Sequence, residues 1–334
     1  NTTFKDCQMF LGTDKETVCP FVKSYTQACE DYDFRIEQKD VYNCVNAGTS
    51  DLGENVTLPD VDMDYTDRVQ DCTVDIGAYE YNGAYSITPD VESQLGAAIY
   101  YVTQNGFGTS SAKNPANAAC WQKLQKVLDA AGRYKFLNPE AEVIVKLAAF
   151  PTASEDDILG YTPLRSTEPT EIDLRQNSIM VPRGVEVWGG YPNYVSADDA
   201  TAFTEGVRDI TGNKTYFLAE YLIENSLSTA YHVVTFTDYV FDADGNPYTN
   251  NDKNKIENLE NSTYDGMTPF ANANLLTLGE QGVTDRAVVD GIFIRGGKAE
   301  TAGRSGYGIN YKQYGGAAIV TDYGHIRNCI LENN

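Results

Sequence analysis

The apolar positions of this chain fall into short runs broken by turn residues, and most of the runs carry strand spacing. Ala98-Ile99-Tyr100-Tyr101-Val102, Val143-Ile144-Val145-Lys146-Leu147, Ser178-Ile179-Met180-Val181, Val185-Glu186-Val187-Trp188-Gly189-Gly190 and Tyr231-His232-Val233-Val234-Thr235-Phe236 are rich in β-branched and aromatic residues and predict strands. Val74-Asp75-Ile76-Gly77-Ala78-Tyr79-Glu80-Tyr81 alternates apolar and polar positions, as a half-buried strand does. One stretch reads differently. From Ala116 to Ala131, after Asn114-Pro115, Trp121, Leu124, Val127 and Leu128 share one helical face, and Gly132 is placed to stop the helix. This helix is expected to cap the end of a β core. The longest loop covers residues 242–274, and long loops on a rigid scaffold commonly carry binding function. Residues 83–96, with Pro89, have the character of a linker between a first unit, 1–82, and a second, 97–334.

A six-residue unit recurs: apolar, charged, Gly/Asn/Asp, Ile/Cys, any residue, apolar. Its copies are Val289-Asp290-Gly291-Ile292-Phe293-Ile294, Ile326-Arg327-Asn328-Cys329-Ile330-Leu331 and Phe4-Lys5-Asp6-Cys7-Gln8-Met9. Units of this kind stack in solenoids, where equivalent side chains form ladders because one rung alone cannot bury its apolar face. The polar third position suits a turn or an Asn ladder.

Charge narrows the range of partners. Of 334 residues, 48 are Asp or Glu and 25 Lys or Arg, a net charge of −23, which repels nucleic-acid phosphates. With two histidines, there is little material for a His-rich metal site or a Ser–His–Asp triad. The seven cysteines form no CxxC pair, and five lie within the first 72 residues. Disulfides in an oxidising compartment and buried thiols in a core ladder are both open readings. No apolar run approaches the ~20 residues of a membrane-spanning helix. The opening Asn1-Thr2-Thr3-Phe4 lacks the marks of a signal peptide, so the chain reads as a mature product or an excised segment.

Several of these segments together resemble the right-handed parallel β-helix surface proteins of Bacteroidetes and related bacteria, of the choice-of-anchor Q and polymorphic-outer-membrane-protein-like type. Cys44-Val45-Asn46-Ala47-Gly48, Asp62-Met63-Asp64 with Arg68, and Val74 to Tyr81 look like the closing segment of such a module. Ile99-Tyr100-Tyr101-Val102 with the helix after it looks like an opening segment. Val185 to Pro192, Tyr231 to Val234, Val289 to Gly297 and Gly315-Gly316-Ala317-Ala318-Ile319 look like later rungs. The resemblance covers roughly residues 31–334. It implies an all-β fold, a right-handed parallel β-helix with a short capping helix and long loop insertions. It further implies an extracellular or outer-membrane location and a structural or adhesin-type role. The closing signature precedes the opening one, which suggests a segment of a tandem array or fibre in which chains stack end to end. The partners expected are the chain itself or surface glycans. A shared place in the closing segment implies a Cys44–Cys72 pair.

Parallel β-helices also host polysaccharide lyases and hydrolases, so a polysaccharide-processing enzyme and a non-catalytic carbohydrate-binding module stand as alternatives. Asp285, Arg286, Asp290 and Arg295 form the rung-located cluster closest to a catalytic one; turn and rung-edge residues in structural ion pairs are the plainer reading. No residue is assigned as catalytic or cofactor-binding, and the balance leans away from an enzyme. Asp242, Asp244 and Asn246 resemble half of a calcium loop, but Lys253 stands where an EF-hand needs Glu, and an Asp-Gly turn is the plainer reading. The acidic run Asp60, Asp62, Asp64 and Asp67 reads as a turn with Arg68 paired locally. The 23 tyrosines could stack on sugars, though most Tyr in β proteins are half-buried strand residues.

Overall fold

The computed structural model describes residues 96–151, 158–163, 178–193, 200–223, 226–230, 232–242, 244–245, 276–298 and 316–334, with 21–23, 33–36, 58–59, 61–63, 68–69, 72, 74–75 and 87–91. The strands β1 (Phe21–Lys23) and β2 (Asp33–Ile36) pair antiparallel. Next come β3 (Ala97–Thr103), β4 (Ala119–Cys120), the helix α1 (Leu124–Leu137), β5 (Glu142–Ala148), β6 (Ile179–Pro182), β7 (Val185–Tyr191) and β8 (Thr215–Leu218). The hairpin β9 (Glu220–Ile223) and β10 (Ser226–Thr229), then β11 (Val234–Thr237), β12 (Val240–Phe241) and β13 (Leu276–Thr277), lead to β14 (Ala287–Asp290) and β15 (Ile292–Arg295). The chain finishes with β16 (Ala318–Ile319), β17 (Gly324–Arg327) and β18 (Ile330–Glu332).

Among the described residues three sheets are parallel: a six-stranded one in the order β17-β14-β7-β5-β3-β4, and two three-stranded ones, β18-β15-β8 and β16-β11-β6. The six-stranded sheet is buried through side-chain columns. Tyr100, Val145, Val187, Val289 and Ile326 are successive register partners, and the first four are almost fully buried. Each such aliphatic burial stabilises by about 1.5–3 kcal/mol. The single O–H of buried Tyr161 is shared between the carbonyls of Ala148 (2.8 Å) and Val102 (3.1 Å), and burial pushes its pKa well above the usual value.

The expected all-β, right-handed parallel β-helix is corrected here. The sheets are small and open, and β3 and β5 are neighbouring parallel strands joined through α1, the strand–helix–strand connection of a mixed α/β sheet. Leu124, Val127, Leu128 and Ala131 of α1 share the main core with Ala98, Val145 and Val187, so the helix is a packing layer of the fold. Strands buried on both faces read as near-continuous apolar runs in either architecture, and the pattern alone did not separate them.

The helix is also displaced from its expected place. Residues 115–117 form a 3-10 turn, Ala119–Cys120 pair with β3 as β4, and α1 begins only at Leu124. Gly132 lies inside α1. A Cβ there would approach the Pro182 ring to 3.0 Å, so the glycine serves close contact between α1 and the end of β6.

The six-residue unit is realised directly. β14 pairs with β17 through Val289↔Ile326 and Asp290↔Arg327, and β15 pairs with β18 through Phe293↔Ile330 and Ile294↔Leu331. The third-position residues Gly291 (φ 72°) and Asn328 (φ 52°) both adopt the left-handed conformation, turning the chain from the first strand of the unit to the second. The copy at Phe4–Met9 lies outside the described residues, as do residues 76–81 and most of 242–274.

Cys72 is bonded to Cys120, with Cα atoms 6.2 Å apart, so the expected Cys44–Cys72 pair is not formed. Cys120 is the last residue of β4, the partner strand of β3, and a bridge from Cys72 ties the first segment of the chain to the six-stranded sheet. Residues of the expected linker are joined to the same place: Asp90 and Ile99 exchange backbone hydrogen bonds at 2.7 and 3.0 Å.

Candidate functional site

One outward column of the six-stranded sheet runs Tyr101, Lys146, Trp188, Asp290, Arg327 by register. Asp290, nearly buried, is its centre. Its Oδ1 accepts from Arg208 Nη2 (3.0 Å) and Asn328 Nδ2 (2.9 Å), and its Oδ2 from Arg327 Nε (2.5 Å). Arg327 reaches on to Glu186 (2.8 Å), which also accepts the Trp188 indole N–H (2.7 Å). Arg208 donates to the Gly189 carbonyl (2.8 Å) and lies over the Trp188 ring, 5.3 Å from its centroid. Burial pushes the Asp290 carboxyl upward, but the hydrogen bonds from Asn328, Arg327 and Arg208 outweigh it and hold the carboxyl below its usual value. The arrangement is a clamp between stacked strands, with Asp290 held as an anion.

The four residues of the rung-located cluster weighed above are dispersed. Asp285, largely exposed, pairs at 2.6 Å with Lys135 of α1, whose side chain is fully buried. Asp290 belongs to the clamp, and Arg295 lies 3.7 Å from Glu332 on the neighbouring strand. Arg286 is exposed. Of the candidate calcium ligands, Asp242 and Asp244 lie in a turn where Asp242 Oδ1 accepts the Asp244 N–H (3.0 Å) and the Asp242 carbonyl accepts that of Gly245 (3.0 Å). The Gly245 carbonyl in turn accepts from Arg133 Nε at 2.8 Å, docking the turn on α1. Asn246 lies outside the described residues, and among those described no group of three or more His, Cys, Asp or Glu converges. From the acidic run, Asp62 is described and buried; Asp60, Asp64 and Asp67 are not described.

A cleft of about 520 Å³ opens over the outer face of the β18-β15-β8 sheet. Phe150, after β5, and Tyr216, on β8, supply its aromatic wall; Lys214 and Arg295 supply cations, Asn193 and Asn213 amides, and Glu332 a carboxylate. The loop carrying Asn213 and Lys214 is pinned. Asp209 Oδ1 accepts from the backbone of Thr211 and Gly212 (both 3.0 Å) and from the Thr211 hydroxyl (2.9 Å). These bonds lower the Asp209 pKa, the Gly212 backbone bond most of all. Asn213 Nδ2 donates to the Gly190 carbonyl at 3.2 Å, fixing the loop to the end of β7. Sequence reasoning missed this cleft, because its walls come from six separated stretches and only Asn213 and Lys214 among its polar side chains are neighbours in sequence.

No family model, curated protein or solved structure matches the chain.

Proposed function

We propose that the chain is an extracellular structural scaffold of the surface-adhesin type, one that lengthens by adding strands. The observation that carries this reading is the register of the six-residue unit: two copies 37 residues apart stack strand on strand, with their left-handed turns aligned. The outer strands of all three parallel sheets, β16, β17 and β18, come from residues 318–332. At that edge Ile330 and Leu331 are 49% and 51% exposed, whereas their partners Phe293 and Ile294 are buried. A further unit laid against this edge would continue both columns, and Phe4–Met9 of a second copy has the required pattern. The Cys72–Cys120 bridge supports an oxidising, extracellular setting. Asp290, the one buried member of the cluster weighed for catalysis, is engaged by Arg208, Arg327 and Asn328 between strands, which favours the scaffold over a polysaccharide-processing enzyme.

Electron microscopy with light scattering, at low and at moderate salt, tests the reading. Filaments or ordered oligomers that form with concentration, and that Leu331→Arg abolishes, are expected. Dispersed monomers at high concentration under both conditions refute it.

A further inference from the structure

Within a chain of net charge −23, the cleft over β8, β15 and β18 gathers two cations and one carboxylate. We propose that it binds a carboxylated sugar, a uronate or a sialate, through Arg295 and Lys214. The argument is one of charge count and unused donors. Lys214, Arg295 and Glu332 sum to a single positive charge, the complement of one carboxylate; a phosphate dianion would meet Glu332 repulsion without a second net positive charge. At 3.7 Å the Arg295–Glu332 contact is Coulombic and too long for a hydrogen bond, so the guanidinium keeps N–H groups for a planar carboxylate, which it suits bidentately. Lys214 is exposed, its ammonium 5.7 Å from the Phe293 ring centroid, and can swing to the same anion. The Asn193 amide offers a partner for a sugar hydroxyl, and Asn213, whose Nδ2 is engaged with the Gly190 carbonyl, can present its side-chain oxygen from a loop pinned by Asp209. The cavity volume lies within the roughly 300–1,000 Å³ of ordinary small-molecule sites. This inference stands apart from the scaffold reading, since a monomer would bind equally well.

The test is an array of uronate- and sialate-bearing oligosaccharides, their carboxyl-reduced counterparts and sulfated controls, probed with the full chain and followed by calorimetry on the strongest probe. Binding to carboxylated members, lost on carboxyl reduction, is expected, and the array separates uronate from sialate. Arg295→Gln and Lys214→Gln should each weaken binding at least about tenfold, as loss of a charge-assisted hydrogen bond does. Glu332→Gln should tighten it, a gain that a merely structural role for these residues would not produce. All three variants should melt within a few degrees of the parent. Equal binding after carboxyl reduction, preference for the sulfated controls, indifference to the variants, or absence of binding throughout would each overturn the proposal.

Discussion

Replacing Asp290 with alanine tests whether the outward clamp holds the stacked strands. The substitution removes charge-assisted bonds from Arg208, Arg327 and Asn328 to a side chain that is 5% exposed. Taken singly, bonds to a charged group contribute about 1.5–3 kcal/mol each. Their sum overstates the loss. Arg208 keeps the carbonyls of Gly189 and residue 290, Arg327 keeps Glu186, and the Arg327 side chain is 38% exposed, so its share is discounted for solvent screening. Breaking a buried ion pair costs about 3–5 kcal/mol; at the lower end, about 3 kcal/mol, the folded-to-unfolded ratio falls roughly a hundredfold. The assay is urea unfolding followed by tryptophan fluorescence, for which Trp188, packed on Arg208, is a local reporter. The pH dependence gives a second reading. The folded Asp290 carboxyl titrates below its unfolded value of about 3.9, so its contribution is complete above that value and is lost as pH falls through the folded pKa. The gap between parent and variant should therefore be full at neutral pH and close in acid. A gap under about 0.5 kcal/mol at pH 7, the range of a neutral surface substitution, would refute the clamp. So would a gap that persists unchanged in strong acid.

Gly291→Ala should destabilise by about 2–4 kcal/mol, since it places a Cβ at positive φ and 2.8 Å from Arg208 Nη2 and Ile210 Cγ1; thermal melting measures it. Gly132→Ala gains about 1 kcal/mol of helix propensity but presses on the rigid Pro182 ring, and a net loss of about 1 kcal/mol is expected by urea midpoint. Opening the Cys72–Cys120 bridge by Cys120→Ser should cost about 2–4 kcal/mol for a crosslink spanning 48 residues; a thiol titration with and without reductant checks the pairing itself.

Much of the strand layout was legible. The runs at 98–102, 143–147 and 185–190 fall within β3, β5 and β7, and that at 178–181 overlaps β6, because short runs rich in β-branched and aromatic residues mark buried strands. The six-residue unit was legible for the same reason, and its third position announced the left-handed turn through Gly and Asn. The helical layer was not. The face of Leu124, Val127 and Leu128 was correctly apolar, yet whether it covers the end of a stack or joins two neighbouring strands depends on contacts more than twenty residues away. Gly132 looked like a stop signal because the demand it answers, the Pro182 ring, lies 50 positions further on in the chain. The cleft was illegible because Lys214 and Arg295 come together only through the pairing of β8 with β15.

The second position of the unit also decides what can join the stack. Asp290 and Arg327 are register partners of opposite charge, and Arg295 and Glu332 repeat the alternation on the adjoining sheet. A copy of Phe4–Met9 laid on β17 would set Lys5 against Arg327, a like-charge neighbour that costs roughly 0.2–1 kcal/mol. Against this stands the apolar edge. Ile330 and Leu331 are each about half exposed, and covering that half stabilises by about 1 kcal/mol apiece, on a scale of 1.5–3 for full burial. Ile326, only partly covered, adds a smaller share. The apolar term thus exceeds the local repulsion, but by a margin small enough for the charge of −23 on each chain to matter. Screening shortens the reach of that repulsion to about 8 Å at physiological ionic strength while leaving apolar burial intact. Association through this edge should therefore strengthen with salt, the opposite of what a contact held by opposite charges would do.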